Sequence, residues 1–397
     1  MTKKVVLAYS GGLDTSYCAK YLSEEKNLEV HSVLVNTGGF SGPELEKIEN
    51  NAKILGVHKH LNIDVKNKYY LECIRFLVYG NILRNGTYPL SVSAERVFQA
   101  MAIAEYANKI KADYIAHGST GAGNDQVRFD MIFNIMAPRV EILTPIRDQQ
   151  LARDTEIEYL KNQGIKMDWS KSVYSINQGL WGTSIGGKET LTSSQTLPEE
   201  AYPNKVDKTN PVKFELNFEQ GELTGFNNKK FTDNVEAIEA LNIALSGYGI
   251  GRDIHVGDTI IGIKGRVGFE AAAPVLIIKA HQALEKHVLG KWQIYWKEQL
   301  ADWYGMLLHE GQFLDPVMRD IEAFLEHSQG NVTGKVFIKV APYTFNIEGI
   351  ESEYDLMSSE FGAYGELNLG WQGDDVRGFA KILANQSKIY QSVNKKK

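Results

Sequence analysis

Ser10-Gly11-Gly12-Leu13-Asp14-Thr15-Ser16 directly follows the apolar run Val5-Val6-Leu7-Ala8-Tyr9, and this junction decides how the first half of the chain is read. A buried strand that breaks at two glycines and restarts as a helix aims several backbone N–H groups at one point, which suits a phosphate. The glycines permit backbone angles and close approach that a side chain would forbid. Ser10, Thr15 and Ser16 add hydroxyl donors, and Asp14 can hold a magnesium ion. The run lacks the lysine of Gly-x-x-x-x-Gly-Lys-Ser/Thr and the spaced glycines of Gly-x-Gly-x-x-Gly, so it is neither a Walker loop nor a dinucleotide fingerprint. An ordinary strand-to-helix turn of small residues is the competing reading. The preceding strand and the amphipathic run Tyr17 to Leu22 favour the phosphate loop.

The run resembles the PP-loop of ATP pyrophosphatases, Ser-Gly-Gly-x-Asp-Ser/Thr. That resemblance implies a grip on the pyrophosphate half of ATP while the α-phosphate is attacked. Cys18 lies one helical turn beyond Asp14, which invites a catalytic reading as in the tRNA-thiolating PP-loop enzymes. A small buried residue packing the helix on the sheet is preferred, since free cysteine behaves as a small hydrophobe.

A chain of 397 residues with 43% hydrophobic content can bury a large core, and its length suggests two domains. No apolar stretch reaches the roughly 18 residues of a membrane span, and Met1-Thr2-Lys3-Lys4 runs into a strand without a secretory pattern, so a cytoplasmic protein with no membrane partner is expected. Two cysteines, Cys18 and Cys73, argue against a disulfide framework and a four-cysteine zinc site. The net charge of −6, with basic residues run together only at Lys395-Lys396-Lys397, does not suit a nucleic-acid partner.

From Lys4 to about Gln163, apolar runs alternate with helical patterns in the manner of a parallel βαβ sheet. Strands are expected at Lys4–Tyr9, Glu29–Asn36, Lys59–Val65, Asp113–His117 and Val140–Leu143. Helices are expected at Thr15–Glu24, Pro43–Leu55, Lys68–Tyr79 and Ser93–Lys111. Such sheets bind ligands at the carboxyl ends of their strands, where the glycine loop, Asn36-Thr37-Gly38-Gly39 and His117-Gly118-Ser119-Thr120 all fall. After Gly164 the texture turns loop-rich and reads as a crossing into an α+β domain. That domain has an alternating strand at Val212–Phe218, a helix near Asn234–Leu245, strands near Thr259–Ile263 and Lys335–Val340, and helices from Pro274 to Leu308. The expected division is 1–165, a parallel-sheet nucleotide-binding α/β domain; 166–373, a synthetase and multimerisation domain; and 374–397, a helical tail. The Asp374–Val393 tail has helical spacing and few large apolar residues of its own, as a helix packing on another subunit, or an exposed terminal helix, would.

His117 to Phe129 carries three glycines, three small donors, Asn124, Asp125 and Arg128 in a short span after a strand, which reads as a ligand cradle. Arg128 can clamp a carboxylate or phosphate bidentately, while Asn124 and Asp125 suit a zwitterion. An Asx-rich turn with a surface ion pair is the bland alternative.

The pattern His117-Gly-x-Thr-Gly-x-Gly-Asn-Asp-Gln-Val-Arg-Phe129, following Leu7-Ala-Tyr-Ser-Gly-Gly-Leu-Asp-Thr-Ser16, resembles the argininosuccinate synthase family. Tyr88-Pro89-Leu90, Ser175, Ser184, Gly249-Ile250-Gly251-Arg252, Ile263-Lys264 and Ala280-His281 extend the likeness over most of the chain. The resemblance implies ATP as a substrate with Mg2+, held by Ala8, Tyr9, Ser10, Gly11, Gly12, Leu13, Asp14, Thr15, Ser16, the backbone near Val35, and Gly118. It implies aspartate at Thr120, Asn124 and Asp125, and citrulline at Tyr88, Ser93, Asn124, Arg128, Ser175 and Ser184. Asp14, Ser10 and Arg128 would do the catalytic work, with Asp14 at the metal, in a homotetramer. The implied chemistry is attack of the ureido oxygen on the α-phosphate, then displacement of AMP by the aspartate amine.

The chain also departs from the pattern. Gly257 stands where the family has a glutamate that contacts citrulline, and Phe269 replaces a contacting tyrosine. Asp258, one residue along, is the expected substitute, provided Val256-Gly257-Asp258 turns to aim it inward. Two alternatives remain at this stage. A tRNA-modifying PP-loop ligase would want a basic face and a reactive cysteine, and a nucleotide sensor of the same fold would bind ATP without turnover.

Overall fold

The computed structural model describes residues 2–167, 173–358 and 370–395. β1 (Lys4–Ala8), α1 (Leu13–Glu24), β2 (Glu29–Asn36), α2 (Gly42–Ile54) and β3 (Lys59–Asp64) open the chain. A broken helical run follows: α3 (Lys66–Tyr69), a π-turn at Tyr70–Ile74, and α4 (Arg75–Tyr79), where one unbroken helix was expected. Then come α5 (Ser91–Ile110), β4 (Tyr114–Ala116), α6 (Asp125–Met136), β5 (Glu141–Leu143), α7 (Pro145–Gln149) and α8 (Arg153–Asn162). The five strands form one parallel sheet in the order β3-β2-β1-β4-β5. β1 is central and, after Lys4, wholly apolar and buried, as a strand covered on both faces must be. Cys18 is fully buried among Leu7, Leu22 and Ala52 on one side of it, and burial pushes its thiol pKa up, so it packs as a small apolar residue.

The stretch after Gly164, expected to be loop, holds an antiparallel hairpin of β6 (Ser175–Gly179) and β7 (Gly182–Gly186). Its two-residue turn, Leu180-Trp181, is buried against the first sheet's loops: Leu180 N donates to Thr37 O at 3.1 Å, and Trp181 Nε1 to Pro89 O at 3.0 Å. A turn carrying a fully buried tryptophan cannot be told from an irregular loop by alternation. β8 (Val212–Glu219), β9 (Glu222–Phe226), β10 (Lys229–Lys230), α9 (Asn234–Leu245), β11 (Arg252–Asp258) and β12 (Lys264–Glu270) come next. Thr259–Ile263, expected as a strand, is instead the turn joining β11 to β12, closed by Thr259 N donating to Ile263 O at 2.8 Å. Its β-branched residues misled, because the pairing partners lie on either side of them.

α10 (Ala272–Val288), α11 (Lys291–His309) and α12 (Pro316–His327) precede β13 (Gly334–Ala341) and β14 (Thr344–Glu351). The second half thus carries two antiparallel sheets, β10-β9-β8-β13-β14 and β11-β12-β7-β6, so the fold is α/β followed by an α+β half. α10 lies against β13 and β8 in the main core. His281 on it is fully buried, bonded to Asn81 Oδ1 at 2.7 Å and Gln329 Oε1 at 2.8 Å. The tail forms two helices, α13 (Gly373–Leu383) and α14 (Asn385–Asn394), with no buried residue in either.

Candidate active site

The carboxyl ends of β1, β2 and β4 face the β11-β12-β7-β6 sheet across a cavity of about 1080 Å³. On its phosphate-loop side, Gly11 turns the chain at φ 79°, a left-handed conformation that favours glycine, and a Cβ there would lie 3.0 Å from Ile48 Cγ1. The loop is cross-braced: Thr15 Oγ1 donates to Gly12 O at 3.2 Å and lies 3.3 Å from Ser10 Oγ, and Gly12 N donates to Ser10 Oγ at 3.4 Å. These bonds fix the N-terminus of α1, whose first N–H groups have no intrahelical acceptor. Gly118 presses on that terminus. A Cβ there would lie 3.3 Å from Thr15 N and from the Asp14 carbonyl carbon, so only glycine gives this approach without displacement.

Asp14 stands in the first turn of α1, facing the cavity, with Glu156 of α8 behind it. Burial, reinforced by the charge of Asp14, pushes the Glu156 carboxyl up to about 8.

The second group is built on α5 and α6. Arg128, buried, donates to Asp125 Oδ1 at 3.1 Å, Ser93 Oγ at 3.0 Å and the His309 carbonyl at 2.7 and 3.0 Å. Arg96 takes the other carboxylate oxygen of Asp125 at 2.9 Å and reaches Asn177 Oδ1 at 2.9 Å. Despite the cost of burial, these two guanidinium groups hold the Asp125 pKa below the usual aspartate value. Asn124 Oδ1 accepts from Ile260 N at 2.8 Å, tying the cradle to the β11–β12 turn. The Tyr88 hydroxyl lies 3.0 Å from Ser184 Oγ and 3.2 Å from Ser91 Oγ. His117 accepts from Ser119 N at Nδ1, which leaves the Nε2 proton to be donated to Asp130 at 2.9 Å.

Ala8, Tyr9, Ser10, Gly12, Leu13, Asp14, Thr15, Val35 and Gly118 all line the cavity, as do Tyr88, Ser93, Thr120, Asn124, Asp125, Arg128, Ser175, Ser184 and Asp258. Gly11 and Ser16 are not in the lining: Gly11 forms the turn, and Ser16 is buried behind it. The turn expected at Val256-Gly257-Asp258 is absent, because all three continue strand β11 in register with Lys264, Gly265 and Arg266. Asp258 therefore reaches the cavity's edge with an exposed carboxylate paired to Lys264 Nζ at 2.6 Å. Glu95, Arg96, His255 and His309 also line the cavity and were not anticipated. A Glu-Arg pair inside the apolar run Ala94 to Ala104 was the available signal for the first two. Burial pushes Glu95 up to about 8, and burial together with Arg84 pushes His255 down to about 4. His309 falls to about 3 through burial and the charges of Arg128 and Arg84.

Comparison with known proteins gives the same outline. Residues 4–166 match the family model described as the arginosuccinate synthase N-terminal HUP domain, and residues 174–390 match the arginosuccinate synthase C-terminal domain. The argininosuccinate synthase of Dictyoglomus thermophilum is 38% identical over 390 residues, covering 98% of this chain and 97% of that protein. That of Methanocaldococcus jannaschii is 37% identical over 400 residues, covering both chains completely. That of Xylella fastidiosa is 34% identical, with 99% and 98% covered.

Proposed function

Because this chain belongs to the argininosuccinate synthase family, we propose that it joins citrulline to aspartate with ATP, through a citrullyl-AMP intermediate, as a cytoplasmic homotetramer in arginine biosynthesis. The observation that carries this reading is the single cavity shared by the braced phosphate loop and the Arg128–Asp125–Ser93 group, which has room for three ligands in contact. A ureido oxygen is a poor leaving group, and adenylation converts it into one. The ureido oxygen forms a bond to the α-phosphorus while the bond to pyrophosphate breaks. The aspartate amine then forms the new carbon–nitrogen bond as the oxygen departs on AMP.

The α1 N-terminus and the hydroxyls of Ser10 and Thr15 meet charge developing on the pyrophosphate. The backbone near Val35 and Gly118 positions the nucleotide. Asp14, at the cavity in the first turn of α1, has the hard oxygen donors that suit Mg2+, which when bound to ATP would offset charge on the leaving phosphates. Thr120, Asn124 and Asp125 hold aspartate, and Tyr88, Ser93, Asn124, Arg128, Ser175 and Ser184 hold the ureido substrate. The protein's main contribution is register between three ligands and exclusion of water. Exposed apolar residues along the tail, among them Phe379, Ile382, Leu383 and Tyr390, support an intersubunit contact there.

The test is isotopic. With 18O at the ureido oxygen, turnover should place the label in AMP and release one pyrophosphate. Recovery of ADP and phosphate would overturn the mechanism.

A further inference from the structure

On its Tyr88 side the cavity has the wrong charges for an ammonium group. The acidic residues in its lining are Asp14, Glu44, Glu95, Asp125 and Asp258. Asp14 belongs to the phosphate loop, and Glu44 caps α2 by accepting from Ser41 N at 2.8 Å and Ser41 Oγ at 2.6 Å. Asp125 is taken by Arg96 and Arg128, and Asp258 by Lys264. Glu95 is buried against Gly179, and the charges that bear on it are those of Arg96 and Asp125.

What faces Tyr88 is His255, stacked at 5.2 Å between ring centroids, with its Nδ1 buried and without a hydrogen-bond partner. Arg84, whose Nε is likewise buried and unpartnered, lies outside that lining in the neighbouring pocket with Asp302; its charge bears on His255 and His309 and is met by those of Glu310, Asp258 and Asp302. The loop carrying it is pinned to β11 by Asn85 Nδ2 donating to Val256 O at 2.9 Å. At Gly257 a Cβ would lie 2.6 Å from His255 Nε2, so the imidazole fills the space where a side chain at 257 would begin. The glutamate that the family pattern places at that position is thereby replaced by a neutral ring beside a cation. A desolvated ammonium beside His255 would find no free carboxylate, because Asp258 already answers Lys264 and Arg84, and leaving it unpaired is costly. An uncharged amide N–H complements an imidazole nitrogen without needing an anion.

We propose that the ureido substrate of this enzyme is an N-acylated citrulline, its α-nitrogen carried as an uncharged amide that meets His255. This rests on the ligase reading of the site above. The bonds made and broken at the ureido group are unchanged, and the amide passes intact into an N-acylated argininosuccinate.

Pyrophosphate release by the full chain with ATP, Mg2+ and aspartate, given citrulline, N-acetylcitrulline or N-succinylcitrulline, tests it. The expected result is a kcat/KM at least about tenfold higher for one of the two acylated substrates. The succinyl arm distinguishes a carboxylate-bearing acyl group from a neutral one. Preference for free citrulline over both overturns the proposal and leaves the ligase reading standing. No release with any of the three overturns the ligase reading itself. In a second arm, the double variant His255→Ala/Gly257→Glu supplies the missing carboxylate and should move the acyl-to-free ratio toward citrulline by about tenfold. An unchanged ratio in a variant with a wild-type melt would remove this part of the cavity from substrate recognition.

Discussion

Arg128 of α6 donates two hydrogen bonds, from Nε at 3.0 Å and Nη2 at 2.7 Å, to the backbone carbonyl of His309, the last residue of α11. The terminal carbonyls of a helix lack intrahelical donors and carry partial negative charge, so a buried guanidinium satisfies both needs at once. The bond joins the parallel-sheet half to the second half at the cavity wall. Its Nη1 and Nη2 also reach Asp125 and Ser93, so one side chain sets the position of three cavity residues.

Arg128→Gln should therefore damage stability as well as turnover. Removing one partner of a buried, hydrogen-bonded ion pair costs about 3–5 kcal/mol. Arg128→Lys should recover part of that stability and little of the activity, because an ammonium cannot reproduce the fork. Urea unfolding beside steady-state rates separates the two effects, and equal recovery of both in the lysine variant would argue against a role for fork geometry.

Asp14→Ala should behave oppositely. It lines the cavity in the first turn of α1 and belongs to no buried apolar cluster, so its loss leaves the core contacts in place. Turnover should fall by about two orders of magnitude or more, with the melting temperature little changed. A large drop in melting temperature with retained specific activity would make Asp14 structural.

Glu95 gives a pH dependence with a defined sign. Its carboxyl rises from 4.5 to about 8, so between those values the folded chain binds a proton that the unfolded chain has lost. Its contribution is fully present below pH 4.5 and declines as pH rises toward 8, with a limiting slope of about 1.4 kcal/mol per pH unit. Glu95→Gln should flatten the stability profile over that range and be more stable than the parent at pH 8. Parallel profiles for the two proteins, from denaturant midpoints at several pH values, would show that Glu95 ionises normally.

Truncation before Asp374 should lower the oligomer's mass in light scattering while the shortened chain stays folded, since neither tail helix buries a residue. An unchanged mass would mean that the subunits associate through other surfaces.

The parallel sheet was legible because its strands are short apolar runs spaced by helix-length segments, and the glycine loop stands at the one place where such sheets bind phosphate. Thr259–Ile263 was misread because β-branched residues signal extended backbone in turns and strands alike, and only the pairing of Asp258 with Lys264 distinguishes them. Glu95 and Arg96 went unnoticed because a charged pair on a helix normally faces solvent, and here the β6–β7 hairpin covers it.

The sequence by itself determined the phosphate loop, the cradle from His117 to Phe129 and the parallel sheet of the first half, because these depend on local backbone freedom and residue spacing. Tertiary structure alone decided what lies opposite them. The direction of Asp258 follows from the register of β11 on β12, the place of His255 beside Gly257 from its packing on Tyr88, and the raised pKa of Glu156 from burial beside Asp14; the last two join segments more than a hundred residues apart, and no local pattern encodes any of them.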